Sequence, residues 1–423
     1  MNLISAHALP ILVPRMEWQK YSCHGCGDCC RDFTVQLRKR DIQKLESQGW
    51  TEKIGEEVTQ EFRGQTYLKR RDDGSCIFLR EDGLCRIHAE HGFSEKPVAC
   101  QVFPFNLAPG ENSLRVGLNF LCRSVQQNVG AGLHDHRKDL RRFADVIPEL
   151  NKPAPEASLA RGLDAAAESE VDAVIDLLDD WLQNETHSMA TRLDGLAFVV
   201  QSLGDAKLQN VRENRFIELV EVLVGVLPDE LTLQPVAEPS RRQSSLLRQA
   251  VFTRTEDPRI EGSRGRVRTS FDQLVRSRRM RRGRGVTPFL TAELPSSVDF
   301  RRIEGVGPFT QSSDSERILE LFLRYVRATL IGRRTWGSAY YGWSLVDGLQ
   351  AMILNLACAV WVAQLSSAAD GRPFCDLKDV QRGIGRVDRH VGRAPWLGTS
   401  VERLRLSYLR IDDGLRRIAV RGW

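Results

Sequence analysis

The apolar residues that follow position 170 recur at helical spacing. They fall three or four positions apart, which places each set on one face of a helix. Three consecutive packed helices are predicted from these sets, which are Val171, Val174, Ile175, Leu178 and Leu182; Leu193, Leu196, Val200 and Leu203; and Phe216, Leu219, Val220, Leu223 and Leu227. The chain after residue 150 is therefore predicted to be mainly α-helical.

The C-terminal part carries the same period. Ser313 and Glu316 have the spacing of a capping box ahead of an apolar face, and a final helix is predicted from Leu404, Tyr408, Ile411, Leu415 and Ile418. The longest apolar run, residues 351–363, has 13 residues and contains Asn355, whereas a membrane span needs about 20. We expect this run to be a buried core helix, and we expect no membrane association.

The first 150 residues show short patterns instead. Residues 114–121 read as a strand, and apolar residues on both sides of the turn at 81–83 predict a β-hairpin that brings Cys76 and Cys85 together. Pro97 and Pro104 flank Cys100 and would hold its thiol in a fixed loop. The predicted fold class is α+β, with a small cysteine-rich domain of short strands and helices followed by a mainly α-helical region.

Composition suggests further boundaries. The stretch at residues 151–155, with Pro153 and Pro155, is typical of a linker. We predict a cysteine-cluster domain at 1–150, a helical bundle segment at 151–235, an arginine-rich connector at 236–310, and a C-terminal helical segment at 311–423 that packs with 151–235.

The connector contains the strongest charge asymmetry of the chain. Within residues 264–284 Asp272 is opposed by nine arginines, which are Arg264, Arg266, Arg268, Arg276, Arg278, Arg279, Arg281, Arg282 and Arg284. We interpret this stretch as a solvated connector, with binding of an acidic partner as the alternative. Phe271 is its one aromatic residue, so stacking on nucleic-acid bases is not supported and a nucleic-acid partner is not expected.

Eight of the ten cysteines lie in the first 122 residues, and they are Cys23, Cys26, Cys29, Cys30, Cys76, Cys85, Cys100 and Cys122. The first four have the spacing C-x2-C-x2-C-C. A two-residue gap lets a tight turn aim two thiolates at one ion, and Gly25 and Gly27 give the backbone freedom for such turns. Adjacent cysteines do not reach one ion comfortably. The eight residues therefore predict a polynuclear metal site or two sites.

The expected compartment separates metal ligation from disulfide bonding. The N-terminus has no basic segment before its short apolar run, and Pro10 and Pro14 interrupt that run, so it does not resemble a secretory signal. We expect a cytoplasmic protein with reduced thiols. All-sulfur ligation selects zinc or iron–sulfur clusters. Because eight thiols exceed the four of one structural zinc, we prefer an iron–sulfur cluster of the 4Fe–4S type, with zinc as the alternative.

The order of these elements resembles the CxxCxxCC family (YkgJ type), described as zinc- or iron-chelating and grouped with flagellin lysine N-methylase. The resemblance covers roughly residues 20–125, from the cysteine quadruple to the K-P-x-x-C-x-x-F-P stretch that ends at Pro104. Lys96 stands where the family usually has arginine, and residues 89–95 form an insertion. The resemblance implies a metal-cluster module and, for some relatives, protein lysine methylation.

Two functions of different classes are carried forward. The first is a metal-cluster binding protein without catalysis of its own. The second is an S-adenosylmethionine-dependent protein lysine N-methyltransferase with a protein substrate. The glycine pairs at 130–132 and 305–307 read as loops rather than a nucleotide-binding turn, so the second function rests on the resemblance.

His88 and His91 are weighed as further ligands, with surface or hydrogen-bonding roles preferred. No catalytic or cofactor-binding residue is assigned.

The aromatic segment at residues 333–343 is the other candidate for a pocket. It contains Trp336, Tyr340, Tyr341 and Trp343 with small residues between them. Such rings can form a groove around a lysine chain or its methylated cation. Packing in the protein core is the preferred interpretation.

Overall fold

A computed structural model describes residues 8–62, 64–256 and 266–423. Short elements follow one another up to residue 146. They are β1 (Ile11–Leu12), β2 (Lys20–Tyr21), α1 (Asp28–Asp32), α2 (Lys39–Ser47), α3 (Trp50–Ile54), β3 (Thr59–Phe62), β4 (Gln65–Leu68), α4 (Arg86–His91), α5 (Val98–Val102), β5 (Phe105–Pro109), β6 (Leu114–Leu118), α6 (Arg123–Gln127), β7 (Ala131–Gly132) and α7 (Arg137–Val146).

Helices make up the regular structure of the remaining described residues. They are α8 (Glu168–Gln183), α9 (Met189–Asp205), α10 (Asn214–Gly225), α11 (Leu227–Leu233), α12 (Arg241–Thr255), α13 (Arg266–Arg282), α14 (Phe300–Glu304), α15 (Ser315–Ile331), α16 (Leu345–Ala369), α17 (Leu377–Asp388), α18 (Ser400–Leu409) and α19 (Gly414–Ala419). This confirms the predicted α+β class, with small sheets first and a helical region after them.

The strands form three small sheets. In the largest, β6 lies between β1, which is parallel to it, and β5, which is antiparallel to it. The pairs β2–β7 and β3–β4 are antiparallel. The predicted strand at 114–121 is confirmed over Leu114–Leu118. Cys122 follows the β5–β6 hairpin and directly precedes α6.

The buried apolar side chains form two cores. The smaller core belongs to the first third of the chain and consists of Val35, Leu37, Leu45, Trp50, Val58, Leu68, Ile77, Phe78 and Ile87. Cys76, Cys85 and Cys100 are partly buried against it. The larger core joins the β1–β6–β5 sheet to the helices after residue 150. Three of the predicted metal ligands thus lie at the edge of a core of only nine residues.

The three predicted consecutive helices are present as α8, α9 and α10. Each buries part of its predicted face, for example Leu178 in α8, Leu196 in α9 and Phe216 in α10. α16 is the helix among the described residues that is long and apolar enough to cross a membrane, but 94% of that apolar stretch is buried inside the protein. The prediction of a buried core helix at 351–363 is confirmed.

The segment from Cys76 to Cys85 differs from the predicted hairpin. It folds into consecutive turns with single bridges at Arg70–Cys76 and Leu79–Cys85. Ile87, placed in the second predicted strand, lies in α4 and is buried in the smaller core. The prediction of strands was wrong because burial of Ile87 is achieved by a helix that starts directly after Cys85.

Two predicted helix boundaries were also wrong. α15 begins after Asp314 and not after Ser313, so the predicted capping box is not formed. The Asp314 carboxylate accepts a hydrogen bond from the backbone N–H of Leu377. The predicted final helix is divided into α18 and α19, because Asp412 and Asp413 have φ values of 53° and 55°. Leu404, which the helical period placed in the core, is 55% exposed.

The arginine-rich stretch contains a helix. α13 extends over Arg266–Arg282 and buries Met280 completely. Arg264 lies outside the described residues. The domain boundaries given above stay predictions.

The aromatic segment at 333–343 packs in the core. Trp336, Tyr340 and Trp343 are buried, and the Tyr340 and Trp343 rings meet edge to face with centroids 5.2 Å apart. This agrees with the preferred interpretation.

Candidate metal centre

The cysteine quadruple is shaped by two left-handed glycines. Gly25 and Gly27 have φ values of 69° and 73°, a region that favours residues without a Cβ. Gly27 is the residue before α1, and its carbonyl accepts a hydrogen bond from the Cys30 backbone N–H at 2.9 Å. The Cys30 carbonyl in turn accepts from the Cys76 N–H at 2.7 Å. The backbone thus joins the quadruple to the turns around Cys76.

Five thiols line one small cavity, which we call the five-thiol group. Its members are Cys29, Cys30, Cys76, Cys85 and Cys100. The rest of the wall is apolar apart from Lys96, and consists of Phe33, Val35, Leu68, Phe78, Ile87, Pro97 and Phe103. Cysteines from positions up to 71 residues apart therefore face a common space in an apolar setting.

The electrostatics of the five-thiol group follow from this burial. Burial raises the pKa of Cys76 to about 12 and raises the pKa of Cys100 well above its usual value. A hydrogen bond from the Cys29 thiol lowers the pKa of Cys30 to about 7, and Lys96 acts in the same direction. Buried thiols resist ionisation unless a cation compensates the charge. A bound metal would provide that cation.

Lys96 is the cationic side chain in the wall of this cavity. Burial lowers the pKa of Lys96, but the Cys100 and Cys85 thiolates more than offset this effect and leave its pKa raised. Lys96 was noted in the sequence only as a departure from the family pattern. Its position next to the thiols could not be anticipated from spacing.

The other three predicted ligands form a second set, the three-thiol group, which consists of Cys23, Cys26 and Cys122. Burial, opposed by backbone hydrogen bonds from Val125 and Ser124 and assisted by the Cys26 and Cys23 thiols, raises the pKa of Cys122 to about 11. Cys23 and Cys26 are exposed. Two of its three thiols are therefore open to solvent, whereas Cys122 is partly buried against the larger core.

Two contacts fix the three-thiol group to the rest of the protein. The His24 Nδ1 and Ser124 Oγ atoms are 2.5 Å apart, which joins the cysteine loop to α6. Arg324 of α15 donates to the carbonyls of Val125 and Gln126 at 3.1 and 2.6 Å. Cys122 is thus positioned by a helix that the larger core holds in place.

The thiols surround spaces rather than meeting at a point. All ten cysteines are free thiols. Within the part of the chain that the structure describes, no three Cys, His, Asp or Glu side chains are close enough to bind one ion as they stand. The eight predicted ligands are gathered into two groups, and their assignment as ligands stays a prediction. Cys358 and Cys375 are buried in the helical region.

The two candidate histidines lie outside the cavity wall. His91 contacts the Trp50 ring, and its Nε2 is 3.5 Å from the Lys53 Nζ. His88 packs against Phe93. These contacts agree with the surface roles preferred above.

Comparison with known proteins identifies the segment that contains these thiols. Residues 22–124 match the CxxCxxCC family, whose description is "Putative zinc- or iron-chelating domain". This confirms the resemblance of this segment to the CxxCxxCC family. The match covers all eight N-terminal cysteines and none of the helices after α6. It supports metal binding in general without choosing the metal.

A curated relative is similar over part of the chain. An uncharacterized protein of Methanocaldococcus jannaschii is 24% identical over 165 residues, which are 37% of this chain and 55% of the relative. The chain thus spans about half the length of that relative. No solved structure matches.

Proposed function

We propose that this is an iron–sulfur protein whose five-thiol group binds a 4Fe–4S cluster. The observation that carries the proposal is that five thiols face one apolar cavity. A cluster of this type takes four cysteine ligands, and so does a structural zinc. Cys29 and Cys30 are adjacent on α1, so we infer that one of them is a ligand and the other lies beside the cluster.

The spacing of the thiols favours a cluster over a single ion. Within the described residues no three ligand side chains are close enough to bind one ion as they stand. A cluster separates its ligand sulfurs because each binds a different iron, which suits this arrangement. Such a cluster would supply one-electron transfer, with a potential set in part by the apolar wall.

The test is metal analysis of protein prepared without oxygen. We expect about four iron and four acid-labile sulfide per chain bound at the five-thiol group, with broad absorption in the visible range. Cys100→Ser should remove this absorption, whereas Cys358→Ser, which changes a buried cysteine of α16, should retain it. A colourless protein with stoichiometric zinc would contradict the proposal and leave a structural zinc domain.

A second candidate function rests on the three-thiol group. Three thiolates would bind three irons of a second cluster and leave its fourth iron open for a substrate or cofactor. The exposure of Cys23 and Cys26 gives such a ligand access from solvent. Together with the resemblance, this favours an S-adenosylmethionine-dependent protein lysine N-methyltransferase, in which the open position binds the amino and carboxylate groups of the cofactor.

Cofactor titration tests the second candidate separately. S-adenosylmethionine added to the metal-loaded protein should bind and change the spectrum of the metal. Cys122→Ser should abolish this change while the absorption of the five-thiol group persists. If the wild-type protein binds no cofactor, the methyltransferase proposal fails and the iron–sulfur proposal stands.

A further inference from the structure

A second cavity opens on the helical region, far along the chain from the thiols. Its walls are the first turns of α12, the end of α13, the following loop, and α14. It measures about 1030 Å³. Seven arginines line it, and they are Arg241, Arg248, Arg281, Arg282, Arg284, Arg301 and Arg421. We call this cavity the arginine bowl.

Positive charge in the arginine bowl is not balanced. Its acidic lining residues are Glu238, Asp299 and Glu304. Asp299 accepts the Arg301 backbone N–H at 2.8 Å at the start of α14, and Glu304 pairs with Arg248 at 3.2 Å. Besides Arg248 and Arg421, five arginines line the bowl, and their side chains form no ion pair with any described residue. They are Arg241, Arg281, Arg282, Arg284 and Arg301. These guanidinium groups are therefore available to bind an anion.

Two guanidinium groups are already desolvated at the base of the bowl. Burial lowers the pKa of Arg248 and that of Arg421, and Glu304 opposes this effect at both residues. Arg248 acts on Arg421 in the same direction as burial. Arg248 is held by the Met280 carbonyl, which accepts from its Nε at 3.0 Å. A negative charge between the Arg248 and Arg421 guanidinium groups would offset their mutual repulsion.

The backbone of α12 also contributes positive electrostatic potential to the arginine bowl. α12 has 15 residues and begins after Ser240, whose Oγ accepts from the Gln243 N–H at 3.3 Å. Arg241, Ser244 and Ser245 of its first turns line the bowl, so the positive end of the helix faces it. Gly283 has a φ of 59°, and a Cβ there would overlap the Arg248 guanidinium. The loop after α13 is thus closely packed on the base of the bowl.

We propose that the arginine bowl binds a small compound with several phosphate groups. Arginine forks bind phosphate oxygens in pairs, and an unpaired set of them favours a ligand of high negative charge. Phe300 is the one aromatic lining residue, and it is only 1% exposed, so no ring is available to stack on a base. The volume is at the upper end for small-molecule sites. The bowl shares no lining residue with the thiol cavity, so this site is independent of the proposed iron–sulfur function.

The test compares two pairs of arginines in full-length protein. Inorganic tripolyphosphate is titrated calorimetrically into the wild type, Arg282→Gln/Arg284→Gln and the matched control Arg278→Gln/Arg279→Gln. Arg278 and Arg279 are exposed on α13 but lie outside the bowl, and the control removes the same charge. We expect about tenfold weaker binding for the first pair and at most about a twofold change for the control.

Further measurements distinguish the proposal from competing explanations. Melting curves must show that both variants are folded, and bound metal is measured before and after titration because tripolyphosphate chelates metals. Equal weakening by both pairs would show non-specific attraction and overturn the proposal. So would an absence of saturable binding, or equally tight binding of a hexaglutamate peptide or a short DNA duplex.

Discussion

Asp388 and Arg334 form a buried ion pair in the helical region, next to the segment that leads to Cys122. Nη1 of Arg334 lies 2.9 Å from each carboxylate oxygen of Asp388, and their side chains are 3% and 0% exposed. The same carboxylate accepts the Phe120 backbone N–H at 2.6 Å. Phe120 precedes Cys122 by two residues, so the end of α17 positions a predicted ligand.

Removing the charge of Asp388 should destabilise the protein. Asp388→Asn leaves the Arg334 guanidinium buried without a counter-charge, which costs about 3–5 kcal/mol when a buried pair is broken. Urea unfolding of the wild type and the variant measures the difference. Asp370→Asn is the control, because Asp370 pairs with Arg372 at the surface and should change stability by less than about 1 kcal/mol. Equal stability of Asp388→Asn and wild type would contradict the role given to this pair.

The two thiol groups should lose metal independently. Cys26→Ser replaces a thiolate of the three-thiol group by a poor metal ligand, so it should lower total metal, destabilise the N-terminal third and leave the absorption of the five-thiol group. Cys100→Ser should remove that absorption. Elemental analysis and visible spectra of both variants provide the measurement. If both variants lost the same metal in the same proportion, the eight cysteines would form one site.

The left-handed turn before α1 should be sensitive to a side chain. In Gly27→Ala the new Cβ would be 2.5 Å from the Gly83 carbonyl oxygen and would also be strained at a φ of 73°. Gly55→Ala is a matched control, because Gly55 has a φ of 82° and no atom within 4 Å of the added Cβ.

Both variants carry the left-handed penalty of about 1–2 kcal/mol, so the difference between them isolates the contact with Gly83. Gly27→Ala should show lower thermal stability and lower metal content than Gly55→Ala. If the two variants behaved alike, the close approach of the quadruple to the Cys76–Cys85 turns would play no part in metal binding.

Metal removal should unfold the smaller core selectively. Its nine buried apolar residues are few for independent stability, and metal binding to such small units supplies folding free energy. Hydrogen exchange after chelation should increase in residues 33–103 and stay slow in α16. Unchanged protection of residues 33–103 in metal-free protein would show that the smaller core does not depend on metal.

The helical region was the most predictable part of the fold. In α8 every residue of the predicted apolar face is buried, because a helix packed on one side shows its period in the sequence. The same rule failed at Leu404 and Tyr408, where a break at Asp412 and Asp413 turned the predicted face outward. The left-handed conformation of two aspartates leaves no periodic signal.

The sequence named eight cysteines as one set of candidate ligands but did not indicate how they are grouped in space. Spacing alone places Cys26 with Cys29, whereas in the structure Cys29 lines a cavity with Cys100, and Cys26 is near enough to Cys122 to raise its pKa. This division depends on where β6 ends and how α1 turns, which are tertiary features. The position of Lys96 among the thiols depends on the same long-range packing. So does the hydrogen bond that the Phe120 N–H donates to Asp388.

Quantitative iron and acid-labile sulfide analysis of wild-type protein prepared without oxygen, supported by Mössbauer spectra of iron-57-labelled protein, tests the central claim most directly. The account predicts equal amounts of iron and sulfide, with the spectral parameters of a 4Fe–4S cluster that Cys100→Ser removes. Zinc without sulfide, or iron bound as isolated ions, would contradict it.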